Sequence, residues 1–103
     1  MNQEELFDLQ KLTRVVHKNK EPYDIYGGRP SVWGNPYSHK DGTLAEFRVS
    51  TRHEAIEKYR HYFHDRPELM EKAKLELKGK TISCWCKPQA CHLDIIAEFL
   101  NRI

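Results

Sequence analysis

Five chain breakers fall within ten residues: Gly27, Gly28, Pro30, Gly34 and Pro36. Proline fixes φ and removes a backbone donor, and glycine adds backbone freedom, so neither a helix nor a strand ladder runs through such a stretch. Regular structure must therefore come from short segments on either side. The stretch itself, GGRPSVWGNPYSH, is no flexible linker, because it carries Arg29, Ser31, Trp33, Asn35 and Tyr37, side chains with specific hydrogen-bonding and stacking capacity. It reads as a shaped binding loop, made rigid before a ligand arrives.

The flanking segments read as follows. Leu12 to Lys18 is a β-branched run and predicts a strand, and Tyr23 to Tyr26 a second, shorter one. Asp41-Gly42 predicts a turn, and Leu44 to Val49 a strand or extended lead-in. Thr51 with Glu54 three residues on is a capping box, followed by Ala55, Ile56, Tyr59, Tyr62 and Phe63 at helical spacing, which gives a helix to about His64. Asp65 is the expected N-cap of a further helix with Pro67 in its first turn, buried through Leu69, Met70, Ala73 and Leu77 and closed by Gly79. Thr81 to Cys86 predicts a strand, and a last helix opens at about Cys91 with Leu93, Ile95, Ile96, Phe99, Leu100 and Ile103 as its apolar face. The resulting order predicts an α/β fold, a small single-domain three-layer Rossmann-like sandwich with a short, mostly parallel sheet. Residues 1–12 are expected to form an N-terminal arm or short helix, and residues 13–103 one domain.

Composition narrows the function. The formal net charge is only +2, with seven basic and seven acidic residues up to Ser50 and ten against eight after it. No basic arm is present, which argues against strong nonspecific binding to duplex nucleic acid, whose affinity comes from neutralised phosphates. A local cation cluster would still hold a single phosphate group. Apolar runs are far shorter than the roughly 20 residues that span a bilayer, and the start MNQEELFDLQ lacks a leader pattern, so a cytoplasmic protein without a membrane partner is expected. Three cysteines packed into eight positions do not make a disulfide framework, which points to thiols or metal ligands in a reducing compartment.

Those cysteines lie in TISCWCKPQACHLDII, for which three chemical readings stand side by side. Cys84, Cys86, Cys91 and His92 supply the number and type of donors for a tetrahedral zinc site, although Cys-x-Cys and an adjacent Cys-His pair depart from the usual spacings. Alternatively, Cys91 at a helix N-terminus is a thiol favoured as thiolate, with His92 as acid or base and Cys86 nearby as further catalytic candidates. Thirdly, the same helix start offers backbone N–H groups to a phosphate. Plain packing competes with all three, since cysteine is often a small core residue, and this is the favoured reading for Cys84. In the glycine-rich loop, Arg29 suits phosphate or carboxylate and Trp33 suits a base, with Ser31 and Asn35 as further ligand-binding candidates. The competing reading makes Trp33 and Tyr37 core aromatics and pairs Arg29 with an acid such as Asp24.

The motifs YDIYGGRPSVWGNPY, HEAIEKYRHYF, the PEL that starts the next helix, and GKTISCWCKPQACHLDIIAEFL resemble those of a family of small uncharacterised bacterial and phage proteins, domain of unknown function 4326, over about Arg14 to Leu100. The family carries no established activity. Its pattern stresses the residues that match Arg29, Pro30, Ser31, Trp33, Gly34, Asn35, Pro36, Cys86, Cys91 and His92. The Cys-His segment alone is also similar to one in a second uncharacterised family, domain of unknown function 488. Together these readings predict a domain that binds a nucleotide, nucleoside or nucleic-acid end between the Arg29–Asn35 loop and the Cys91-His92 helix start. The alternative is a noncatalytic phage or bacterial protein that binds a host factor, acts in the host cytoplasm, and uses the cysteine segment as a structural or zinc-stabilised corner.

Overall fold

The structure, a computed structural model, describes residues 12–40 and 45–103. The expected arm at residues 1–12 falls outside this range but for its last residue, as does the Asp41-Gly42 turn. In chain order the elements are β1 (Arg14–His17), β2 (Ile25–Tyr26), β3 (Tyr37–Ser38), β4 (Phe47–Arg48), α1 (Arg52–His64), α2 (Pro67–Glu76), β5 (Thr81–Cys84) and α3 (Leu93–Arg102).

The last strand in sequence is the central one in space. β5 lies between β1 and β2 and runs parallel to both, with Val15 and Ile25 opposite Ile82, and His17 opposite Cys84. Parallel pairing needs a long return path, which α1 and α2 help supply before β5. The ladder continues past the strand ends, where Lys18 N–H donates to Cys84 O and Gly27 N–H to Ser83 O, each at 2.8 Å. The C-terminal ends of all three strands therefore meet at one edge, and the breaker-rich loop leaves β2 there. A second, two-stranded parallel sheet pairs Tyr37 with Phe47 and Ser38 with Arg48. The class is mixed α/β with short parallel sheets, as the element order predicts.

The core is one cluster fed by every helix. Ala55, Tyr59 and Phe63 of α1, Leu69 and Ala73 of α2, and Leu93, Ile95, Ile96 and Leu100 of α3 are buried. Ile82 and Cys84 of β5 join the same cluster. Each large apolar side chain buried this way stabilises by about 1.5–3 kcal/mol. Aromatic edges add to it, with Phe63 and Phe99 ring centres 5.4 Å apart in a T-shaped contact. Thr13 ties the ends together: its backbone N–H donates to Asn101 Oδ1 (2.9 Å) and its hydroxyl to Leu77 O (3.2 Å).

Local signals hold with small shifts. Thr51 Oγ1 accepts from Glu54 N–H (3.0 Å), while the Glu54 carboxylate reaches back to Ser50 N–H (2.8 Å), one residue before the cap. Asp65 does not start α2. It ends α1, its backbone N–H directed at His61 O and Phe63 O, because Pro67 at the first helical turn makes Arg66 the cap and holds it extended (φ −122, ψ 89). Gly79 has φ 75, the left-handed conformation expected of a glycine after a helix. Ile103 lies past the end of α3 and is exposed rather than part of its buried face.

Candidate functional site

Strand β5 ends at Cys84, two residues earlier than expected, so alternation along a strand does not govern Trp85 and Cys86. The chain turns instead, with Gln89 N–H donating to Cys86 O at 2.9 Å. Asp94, an acid in the first turn of α3, then fixes the return. One carboxylate oxygen accepts from Cys91 N–H (3.0 Å) and the other pairs with Lys87 Nζ (2.6 Å). As a result the three sulfur atoms converge, all within 4.8 Å of one another, with Cys84 and Cys91 buried and Cys86 half-buried.

His92 sits just before α3 and is held at both ring nitrogens. Nδ1 is 3.6 Å from Cys91 Sγ and Nε2 is 3.2 Å from Gly27 O. A neutral ring that donates from Nε2 to Gly27 O fits this setting, and burial favours that neutral form, lowering the pKa to about 4. Gly27 must be glycine here, since a Cβ would come within 2.6 Å of Leu93 Cδ1 and 2.7 Å of Ile82 Cγ2. That close approach brings its carbonyl to His92.

The sulfur cluster opens into a cleft of about 360 Å³. One wall is the end of the glycine-rich loop and β3, with Arg29, Asn35, Tyr37 and Lys40. A second is the start of α1, with Arg52, and the third runs from Trp85 to His92. Among the described residues that line the cleft none is acidic, whereas Arg29, Lys40 and Arg52 are cationic. The thiols respond to this setting. Cys86 is pushed well below the usual thiol range, first by hydrogen bonding from the Cys84 and Cys91 thiols and then by the Arg52 guanidinium. Cys84 moves upward through its contact with Cys86, and Cys91 through its contacts with Cys84 and then Cys86, both also through burial. Of the three thiols, Cys86 is therefore the one whose ionised form this setting favours. His39 is shifted downward by loss of hydration and by Arg52, Lys40 and Arg48, another mark of the positive field.

The residues singled out in the sequence divide. Arg29, Asn35, Cys86, Cys91 and His92 all line the cleft, which spans the two segments as expected. Cys84 joins the sulfur cluster from beneath. Trp33 is 3% exposed, packs in the core with its carbonyl accepting from Tyr59 Oη (2.9 Å), and does not line the cleft. Ser31 is outside it too, with Oγ accepting from Trp33 N–H at 3.3 Å. Arg29 donates to Asn35 O (2.8 Å) instead of pairing with Asp24, whose carboxylate accepts from Thr81 N–H. The sequence reading missed Arg52, Lys40 and Trp85. Arg52, directly after a capping threonine, lies at a helix N-terminus, which was a signal available in the sequence.

The sequence pattern of domain of unknown function 4326 matches residues 11–102 of the chain. This protein belongs to that family. An uncharacterised 12.4 kDa protein from the nrdA-td intergenic region of Enterobacteria phage T4 is 41% identical over 96 residues, covering 90% of this chain and 82% of that protein. No solved structure gives a significant match. Among the described residues no helix is long and apolar enough to cross a membrane.

Proposed function

We propose that this protein binds a phosphate-bearing nucleotide, nucleoside or nucleic-acid end in the cleft between the Arg29–Asn35 loop and the start of α3. One observation carries the reading: three cations, Arg29, Lys40 and Arg52, line a cleft whose described lining holds no carboxylate. At about 360 Å³ it lies within the roughly 300–1,000 Å³ usual for small-ligand sites. Arg29, Lys40 and Arg52 would hold the phosphate. The base-stacking role falls to Trp85, which is 55% exposed at the rim, and not to Trp33. Cys86, Cys91 and His92 stand where a reacting group would rest. The same reading carries a three-layer Rossmann-like arrangement, supported by a parallel sheet with a central β5 and a cleft at its C-terminal end.

Thermal denaturation with nucleoside monophosphates, nucleosides, inorganic phosphate and short single-stranded oligonucleotides tests it. A phosphate-bearing ligand at 100 times its Kd should add about 2.7 kcal/mol of stability. Arg52→Ala should remove that shift while leaving the unliganded melting temperature unchanged. If no phosphate-bearing compound shifts the transition, the reading fails.

A further inference from the structure

The convergence of Cys84, Cys86 and Cys91 has consequences apart from any anion in the cleft. Packing explains one buried cysteine well enough, because a thiol is a small hydrophobe. Three thiols from three different local environments, the end of β5, the turn and the segment leading into α3, are brought to one point by specific restraints. The Gln89–Cys86 turn and the two bonds of Asp94 fold the chain back on itself. All three sulfur atoms lie within 4.8 Å of one another. In a tetrahedral zinc site with Zn–S near 2.3 Å, the sulfur atoms are about 3.8 Å apart, so closure from here needs shifts of no more than about 1 Å.

We propose that Cys84, Cys86 and Cys91 form a three-thiolate site for a thiophilic divalent ion, zinc above all, whose fourth position opens into the cleft. Thiolate donors favour zinc or cadmium over magnesium and manganese. His92 is a neighbour of one ligand and not the fourth one, since Nδ1 faces Cys91 Sγ and Nε2 is held by Gly27 O. Cys86 and Cys91 line the cleft, so the remaining coordination position faces it and takes water or an oxygen of a bound anion. A divalent ion with three thiolates carries a net charge of −1, and Arg52 beside Cys86 offsets it. Three protein ligands with one open position is the arrangement of zinc sites that act on substrates, whereas structural sites are closed by four.

The proposal stands whether or not the cleft takes nucleotides, and its test contains none. The full-length chain, reduced and stripped with a chelator, is titrated with zinc or cadmium without oxygen. Uptake is read from native mass, from the ultraviolet thiolate-to-cadmium charge-transfer band, and from the number of thiols open to a thiol reagent. The expected result is one ion per chain, protection of three thiols, and release of all three on adding chelator. Cys84→Ser, Cys86→Ser and Cys91→Ser should each abolish the stoichiometric band, and His92→Gln should retain it. A folded wild-type chain that takes up no ion and keeps three reactive thiols overturns the site, as does uptake unaffected by the three serine substitutions or lost with His92→Gln in a folded variant. Disappearance of two thiols before any metal is added would mean a disulfide and would overturn it too. Should the serine variants not fold, the wild-type stoichiometry and thiol protection decide alone.

Discussion

The loop wall of the cleft and the cysteine wall are built differently. In the loop, polar groups are tied up within the fold: Arg29 donates to Asn35 O, and Asn35 donates to Ala55 O of α1 (3.0 Å) and accepts from Tyr37 N–H (2.9 Å). Trp33 is anchored in the core. On the cysteine wall three thiols have mainly one another, Cys86 is half-exposed, and Trp85 stands in solvent. A loop of glycines and prolines gains almost nothing from regular hydrogen bonding, so its side chains must supply the missing partners. The cysteine turn is fastened from α3 by Asp94, which binds Lys87 and Cys91 N–H and leaves the Cys86 and Cys91 side chains lining the cleft. Residues that look equally functional in the sequence thus differ in kind: those of the loop are mostly tied into the scaffold, and those of the turn line the cleft.

The largest effect should fall on the loop. Trp33→Ala removes a buried aromatic and is expected to cost about 3–5 kcal/mol, read from urea denaturation. A variant that keeps wild-type stability but loses ligand would reverse the comparison and make Trp33 a binding residue. On the cysteine wall the matching experiment is a pH series in the presence of chelator. His92 titrates near 6.5 when unfolded and about 4 when folded, so its contribution is complete above pH 6.5. As pH falls the unfolded chain gains the proton first, and about 3 kcal/mol is lost progressively down to pH 4. His92→Gln should flatten that slope, and an unchanged slope would mean that the ring is not held neutral.

Much of this architecture is legible from residue types alone. The capping box, the helical stripe through Tyr59 and Phe63, the glycine at position 79 and the strand at Thr81 each rest on local backbone chemistry, and the structure keeps them. What fails is whatever depends on distant partners. Trp33 carries no sign of whether its neighbour is a ligand or Tyr59. The convergence of Cys84, Cys86 and Cys91 is not written in their spacing, because it arises from a turn that Asp94 holds through Cys91 N–H and Lys87. β3 was not foreseen because Tyr37 and Ser38 pair with Phe47 and Arg48 ten residues on, through a strand too short to show a period. The cationic lining is invisible in a net charge of +2, since it comes from Arg29, Lys40 and Arg52, three positions well apart in the sequence.

Two smaller effects sharpen the contrast. Asn35→Ala leaves Tyr37 N–H without its partner and removes the buried tie to Ala55 O, which should cost about 1–3 kcal/mol in denaturation. If Asn35 were chiefly a ligand contact, affinity would fall and stability would not. Trp85→Ala should do the opposite. Its indole N–H donates to Tyr26 Oη (3.1 Å) and Lys18 Nζ lies 5.1 Å from its ring, exposed contacts that together contribute about 1 kcal/mol or less. The two tryptophans of the chain separate cleanly in fluorescence, because one is 3% exposed and the other 55%. A nucleotide that stacks on the rim should quench the solvent-exposed, red-shifted component and leave the buried one unchanged, and Trp85→Ala should abolish that response with the melting temperature nearly intact. Quenching of the buried component instead would place the base against Trp33, and the loop, not the cysteine turn, would then be the wall that meets the ligand.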